Sequence, residues 1–202
     1  MLSSSSRIAA AIERDGVPLS DGDYATIARF HRRFIEAGLS LQFNSTGRPP
    51  QWGYPTYRDL LLETDQFGAE RNFLASEEDF QFIKSLQARS LVIPVVGDVA
   101  GPKALSAIGR FLSERGASVS AFYASNVEFY LFGDGLFDRF VANLRRLPRR
   151  EGAQLIRSAF GRNAAVAPGY NSASLTQDIG ALLDGHAQGR FRWYGELIAA
   201  SR

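Results

Sequence analysis

"LVIPVVGDVAGPKALSAIGRFL", Leu91 to Leu112, decides how the rest of the chain is read. An apolar, β-branched run ends abruptly at Gly97 and Asp98, and a stretch of helical periodicity starts at Pro102. Run, turn and helix together are the grammar of a strand followed by a crossover helix, which returns the chain to a parallel neighbour. Pro94 cannot donate a ladder hydrogen bond, so it is expected at the strand's beginning or on an exposed edge, with Val95 and Val96 as the strand's core. The helix is predicted over 102–114, with proline at its first position and Gly116 as its stop.

The same alternation continues downstream. Ser118 to Tyr123 reads as the next strand, and "SNVEFYLF" as a short helix capped by Ser125 or Asn126 with Glu128 in its first turn. A further helix buries Phe137, Phe140, Val141 and Leu144, and Ala153 to Phe160 forms a third strand. "SASLTQDIGALLDGHA" is predicted as a helix capped near Ser172 or Ser174. These segments predict a three-layer α/β fold with a mainly parallel sheet over 91–202, its strands near 91–96, 118–123 and 154–158.

Upstream, residues 1–90 read as a helical segment belonging to the same structural domain. Ser20 and Asp23 open an amphipathic helix carrying Tyr24, Ile27, Phe30, Phe34 and Ile35, and Gly38 ends it. "SEEDFQFIKSLQARS" repeats the pattern, with Ser76 as cap and Phe80, Ile83 and Leu86 to bury. Between the two, "NSTGRPPQWGYPTYRDLL" holds Trp52, Tyr54 and Tyr57, an aromatic content that fits an ordered irregular loop better than a linker.

Composition narrows the function classes. The 202 residues are 45% hydrophobic and 12% aromatic, enough for a real core, and include no cysteine, which excludes disulfides, thiolate metal sites and a cysteine nucleophile. No segment approaches the roughly 18 consecutive apolar residues of a membrane span, so a cytoplasmic protein is expected. Lys and Arg number 23 against 21 Asp and Glu, a near balance. The cluster Arg145, Arg146, Arg149 and Arg150 reads as a solvated helix end, since a nucleic-acid footprint needs a wider basic face. Neither "GDVAG" nor "GPK" completes a dinucleotide or P-loop fingerprint, and no hydrolase or metal motif surrounds His31 or His186.

In an open parallel sheet ligands bind beyond the carboxyl ends of the strands. Candidate cofactor- or substrate-binding residues are therefore Gly97, Asp98 and Gly101 after the first strand, and Tyr123, Ser125, Asn126 and Glu128 after the second. Arg157 and Ser158 close the third. Each has a structural alternative beside the functional one: Gly97 permits a turn, Asp98 and Asn126 cap helices. Asp98 and Asn126 are expected on one sheet edge.

The run "IPVVGDVAGPKAL" at 93–105, with "AFYASNVEFYLF" at 121–132 and "LIRSAFG" at 155–161, resembles an uncharacterised bacterial family with a Rossmann-like, methyltransferase-like fold. The resemblance implies that this chain is similar to the C-terminal half of such a protein, the glycine-rich donor loop lying in an absent first half. S-adenosylmethionine is the cofactor it suggests, and a fragment or subunit of a methyltransferase-like protein the function. The alternative is a non-catalytic ligand-binding or protein-interaction module, marked by aromatics such as Trp52, Tyr54, Trp193 and Tyr194. Partners follow from either reading: the missing N-terminal half, or a second copy in a homo-oligomer.

Overall fold

The computed structural model describes residues 4–43, 54–160 and 166–202, and the chain divides into two compact units, Met1–Val92 and Ile93–Arg202. Trp52 and most of the Gly/Pro-rich loop lie outside the described residues.

The first unit is helical: α1 (Ser4–Arg14), α2 (Asp21–Ala37), α3 (Tyr57–Leu62) and α4 (Glu77–Ala88). The starts of α2, α3 and α4 are written locally. Ser20 Oγ accepts from the Asp23 amide while Asp23 accepts from the Ser20 amide, and Thr56 with Asp59 repeats this reciprocal cap. Ser76 accepts from the Asp79 amide at 3.1 Å, as its sequence predicts. Gly38 ends α2 at φ 51°, a conformation that favours glycine. Tertiary burial is another matter: none of the unit's described residues is fully buried, and Phe80, Ile83 and Leu86 reach only half-burial.

The second unit runs α5 (Ala104–Glu114), β1 (Val119–Ser125), α6 (Val127–Gly133), α7 (Phe137–Arg145), β2 (Arg149–Phe160), β3 (Ser172–Asp178), α8 (Ile179–Ala187) and α9 (Tyr194–Ala199). Its sheet is small and mixed, in the order β1-β2-β3. β1 and β2 are parallel, with Phe122 opposite Leu155 and Tyr123 opposite Ile156, whereas β3 is antiparallel to β2, with Leu155 opposite Gln177. One face, carrying Phe122, Ala153 and Leu155, packs on Phe140, Val141 and Leu144 of α7 and on Leu182 and Leu183 of α8. The Phe122 and Phe140 rings meet edge to face at 5.8 Å, and Phe132 stacks on Phe137 at 4.0 Å. The opposite face leaves Tyr123 64% exposed.

Four sequence predictions need correction here. The first is that α3 forms at the end of the stretch read as an irregular loop, because Thr56 and Asp59 supply a reciprocal cap there. No strand forms over 91–96: Leu91, Val92, Ile93, Val95 and Val96 are all exposed, and the stretch pairs with no strand among the described residues. An apolar, β-branched run needs a partner edge to become a strand, and Pro94 removes a donor from its middle. The crossover helix starts at Ala104 rather than Pro102, with Lys103 at its cap position. Ser172 to Asp178 is a strand instead of a helix start: Ala173, Leu175 and Gln177 alternate with Ser172, Ser174 and Thr176, a period of two. The serines cap nothing, and Asp178 Oδ1 instead accepts from the Ala181 amide at 2.9 Å to open α8. The sheet is therefore a mixed one, with a single parallel pair.

These packing differences predict unequal mutational costs. Phe140→Ala, in a fully buried position, should lower the unfolding free energy by about 3–5 kcal/mol. Phe34→Ala, at a side chain 58% exposed, should change it by less than about 1 kcal/mol. Chemical denaturation of the two variants measures both.

Candidate functional site

At the carboxyl end of β1 the chain turns sharply. Ser125 sits at φ 52°, a left-handed conformation that non-glycine residues adopt at a cost of about 1–3 kcal/mol, and Asn126 then starts α6 without a side-chain cap. This turn sets Glu128 in the first turn of α6, where the helix dipole favours an acid. Ser125 is opposite Arg157 of β2, so the parallel register brings the guanidinium to the same end of the sheet. Arg157 Nε donates to Glu128 Oε2 at 2.6 Å and Nη2 donates to Oε1 at 3.1 Å, a bidentate pair in which both side chains are fully buried.

Two further donors of Arg157 are used as well. Nη1 donates to Gln177 Oε1 at 2.9 Å and to Ser201 Oγ, so four of the five guanidinium donors have partners. Ser201 in turn donates to the Leu197 carbonyl at 2.9 Å, and Arg202 exchanges backbone hydrogen bonds with Thr176 at 2.7 and 3.0 Å. Strand β2, helix α6, strand β3 and the C-terminal residues thus converge on one charge. Burial pushes the Glu128 carboxyl above the ordinary glutamate range, against the opposing pull of the Arg157 hydrogen bonds and charge. Burial, followed by the neighbouring Glu128 charge, likewise raises the Tyr194 phenol.

The turn after Val96 is built differently. Asp98 Oδ1 accepts from the Ala100 amide at 2.8 Å, and the Asp98 carbonyl accepts from Gly101 at 3.0 Å, so the carboxylate closes its own local turn. A Cβ on Gly97 would lie 2.4 Å from Ala104 Cβ, and one on Gly101 would lie 3.1 Å from Asp98. Gly97 is needed for this close packing, whereas a side chain at 101 would press on Asp98. Buried Asn143 of α7 donates to the carbonyls of Val99 and Gly101 at 2.9 and 2.8 Å and pins the loop from beneath. Tyr123 points away from the pair, to the other face, with its hydroxyl 3.2 Å from Ser158 Oγ.

Of the residues singled out from sequence, the structure therefore brings Glu128 onto Arg157 with Ser125 opposite it in register, places Asn126 at the start of α6, holds Gly97, Asp98 and Gly101 in a self-satisfied loop, and leaves Tyr123 on the outer face. An S-adenosyl nucleoside needs an open pocket with free acceptors for its ribose. Asp98 follows no strand, and one of its oxygens holds a backbone amide, while Glu128 is sealed by Arg157. These residues do not fit the cofactor. Among the described residues no cluster of three or more His, Cys, Asp or Glu side chains is arranged to hold a metal ion.

Arg157, Gln177, Asn143 and Ser201 carry this geometry, and sequence reasoning assigned a strand end to the first and nothing to the others. An arginine and a glutamine on alternate-residue positions of apolar strand faces were the available signal, since such residues are buried only when paired.

With this arrangement in view, residues 43–181 match the model of a protein family described as a domain of unknown function, DUF7790. The chain belongs to that family. The DUF7790 stretch takes in Glu128, Arg157, Gln177 and Asn143 and ends inside α8, ahead of Tyr194 and Ser201; α1 and α2 precede it. A search of curated proteins finds no match to the chain. No helix among the described residues is long and apolar enough to cross a membrane.

Removal of one partner of the buried pair should be costly. Arg157→Met alone leaves the Glu128 carboxyl buried without a counter-charge, and Glu128→Gln leaves the guanidinium so, each at about 3–5 kcal/mol. The double variant Glu128→Gln/Arg157→Met should cost clearly less than the sum, because no unpaired charge remains. Additive losses in urea titrations would show that the two side chains do not interact.

Proposed function

We propose that this DUF7790 chain is a non-catalytic interaction module, which binds through apolar surface instead of processing a small molecule. The observation that carries this reading is the contrast between its polar and apolar groups. The polar centre at the strand ends is closed, with four of the five Arg157 donors used by its own partners, whereas large apolar side chains stand outside. In the first unit Phe30, Phe34, Ile35, Phe43 and Phe67 are all more than half exposed, and in the second Ile93, Val95 and Val96 are too. Phe30, Phe34 and Phe43 line one groove and Ile93 and Val95 another, and contiguous apolar surface of this kind marks places that other proteins cover. Tyr54 and Trp193 join them, while Tyr194 is half-buried.

A second reading, half of a Rossmann-like, methyltransferase-like bacterial protein, draws on the parallel β1–β2 pair and the strained Ser125 turn at its carboxyl end. In that reading Ser125 and Asn126 face a substrate, and an N-terminal half supplies the donor site. The chain would be cytoplasmic in either case.

Calorimetric titration with S-adenosylmethionine beside light scattering separates the two. The interaction module should self-associate, and should bind the cofactor no tighter than millimolar. A monodisperse monomer that binds S-adenosylmethionine at micromolar concentration would overturn the reading.

A further inference from the structure

An open groove of about 720 Å³ runs along α2 in the first unit, lined by Phe30, Arg33, Phe34, Phe43, Tyr57 and Leu60. Its walls are aromatic and aliphatic, Arg33 is the charged residue of its lining, and Arg29 and Arg32 stand beside it in an adjoining hollow of α2 that also holds Glu36. Arg29, Arg32 and Arg33 lie within one helical turn, all exposed, and none has an ion-pair partner among the described residues; Arg29 lies over the Phe30 ring at 5.4 Å. Like charges four apart on a helix, as at Arg29 and Arg33, oppose its formation, so an anion brought to these arginines is stabilising twice over.

Helix α4 carries the complementary surface. Its first turn holds Glu77, Glu78 and Asp79, and Phe82, one turn beyond Glu78 on the same stripe, is 61% exposed. Glu78 has no ion-pair partner among the described residues, whereas the next stripe of the helix, Phe80, Ile83 and Leu86, turns inward. An exposed aromatic with an acid one turn before it is what an aromatic groove with an arginine in its lining recognises.

From this complementarity we infer that α4 of a second copy occupies the α2 groove, with Phe82 between Phe30 and Phe34 and Glu78 against Arg33. The inference deepens the interaction reading and rests on it. In the arrangement we infer the two copies are related by a twofold axis, so that each gives its α4 to the other's groove and the contact is made twice in a closed dimer. The charges fix partner and register, and the aromatic anchor supplies most of the attraction.

Sedimentation equilibrium of the full chain tests the pairing. Wild type should be a dimer that weakens with added salt. Arg33→Glu and Glu78→Arg each set like charges face to face and should weaken it on the order of a hundredfold. Both positions are exposed, and circular dichroism should show the folds unchanged. An equimolar mixture of the two variants should recover a heterodimer, since each α2–α4 contact in it again pairs opposite charges. A monomeric wild type, variants that dimerise as wild type does, or a mixture that stays monomeric each overturns the inference. Dimeric single variants would leave the interaction reading standing through another apolar surface, whereas micromolar binding of S-adenosylmethionine would defeat that reading alone.

Discussion

A fully buried arginine is tolerable only when nearly all of its hydrogen-bond donors are used, and Arg157 meets that condition by drawing four parts of the second unit to one point. Glu128 of α6 neutralises it, Gln177 of β3 accepts from it, and Ser201 ties in the C-terminal residues. The requirement explains features that are costly in isolation. Ser125 takes a left-handed backbone conformation so that α6 can start at once and deliver Glu128 to the guanidinium. The parallel register of β1 on β2 is fixed by the same contact, because a one-residue slip would turn Arg157 to the other face.

The loop at 97–101 shows a second use of buried polarity. Asn143 holds two carbonyls of a turn that would otherwise have no partner for them, and two glycines let that turn lie against α5 and against Asp98. A ligand-binding turn and a tightly packed connection share these residue types. What separates them is whether the polar atoms face outward unpaired, and here the Asp98 Oδ1 and both carbonyls face the protein. Function in this chain is thus better sought on its apolar exterior than in its polar interior.

Much of the secondary structure was legible in the residues, because capping and periodicity are local. Ser20 and Ser76 announce their helices, and the apolar stripe of α7 announces the core, whereas the reciprocal cap of Thr56 and Asp59 opens α3 inside a stretch read as an irregular loop. The other errors fell where a neighbour decides. Leu91 to Val96 has the composition of a strand, yet a strand exists only with a hydrogen-bonded partner, which composition does not specify. Ser172 to Asp178 has a period of two that the serines disguised as a cap. The candidate site was half visible: its turn residues and Glu128 stood out after a predicted strand, but Arg157 lies 29 residues further on, and only the sheet register brings it to Glu128.

If the sealed ion pair organises the second unit, its protons should be out of reach of water until that unit unfolds. Exchange of the Arg157 Nε proton, followed by NMR against the backbone amides of β2, measures this directly. The account predicts exchange as slow as that of Leu155 and Ile156 in the middle of the strand. Exchange at the rate of a solvent-exposed arginine would mean that the pair is open to water, and that the strand ends are an accessible polar site after all.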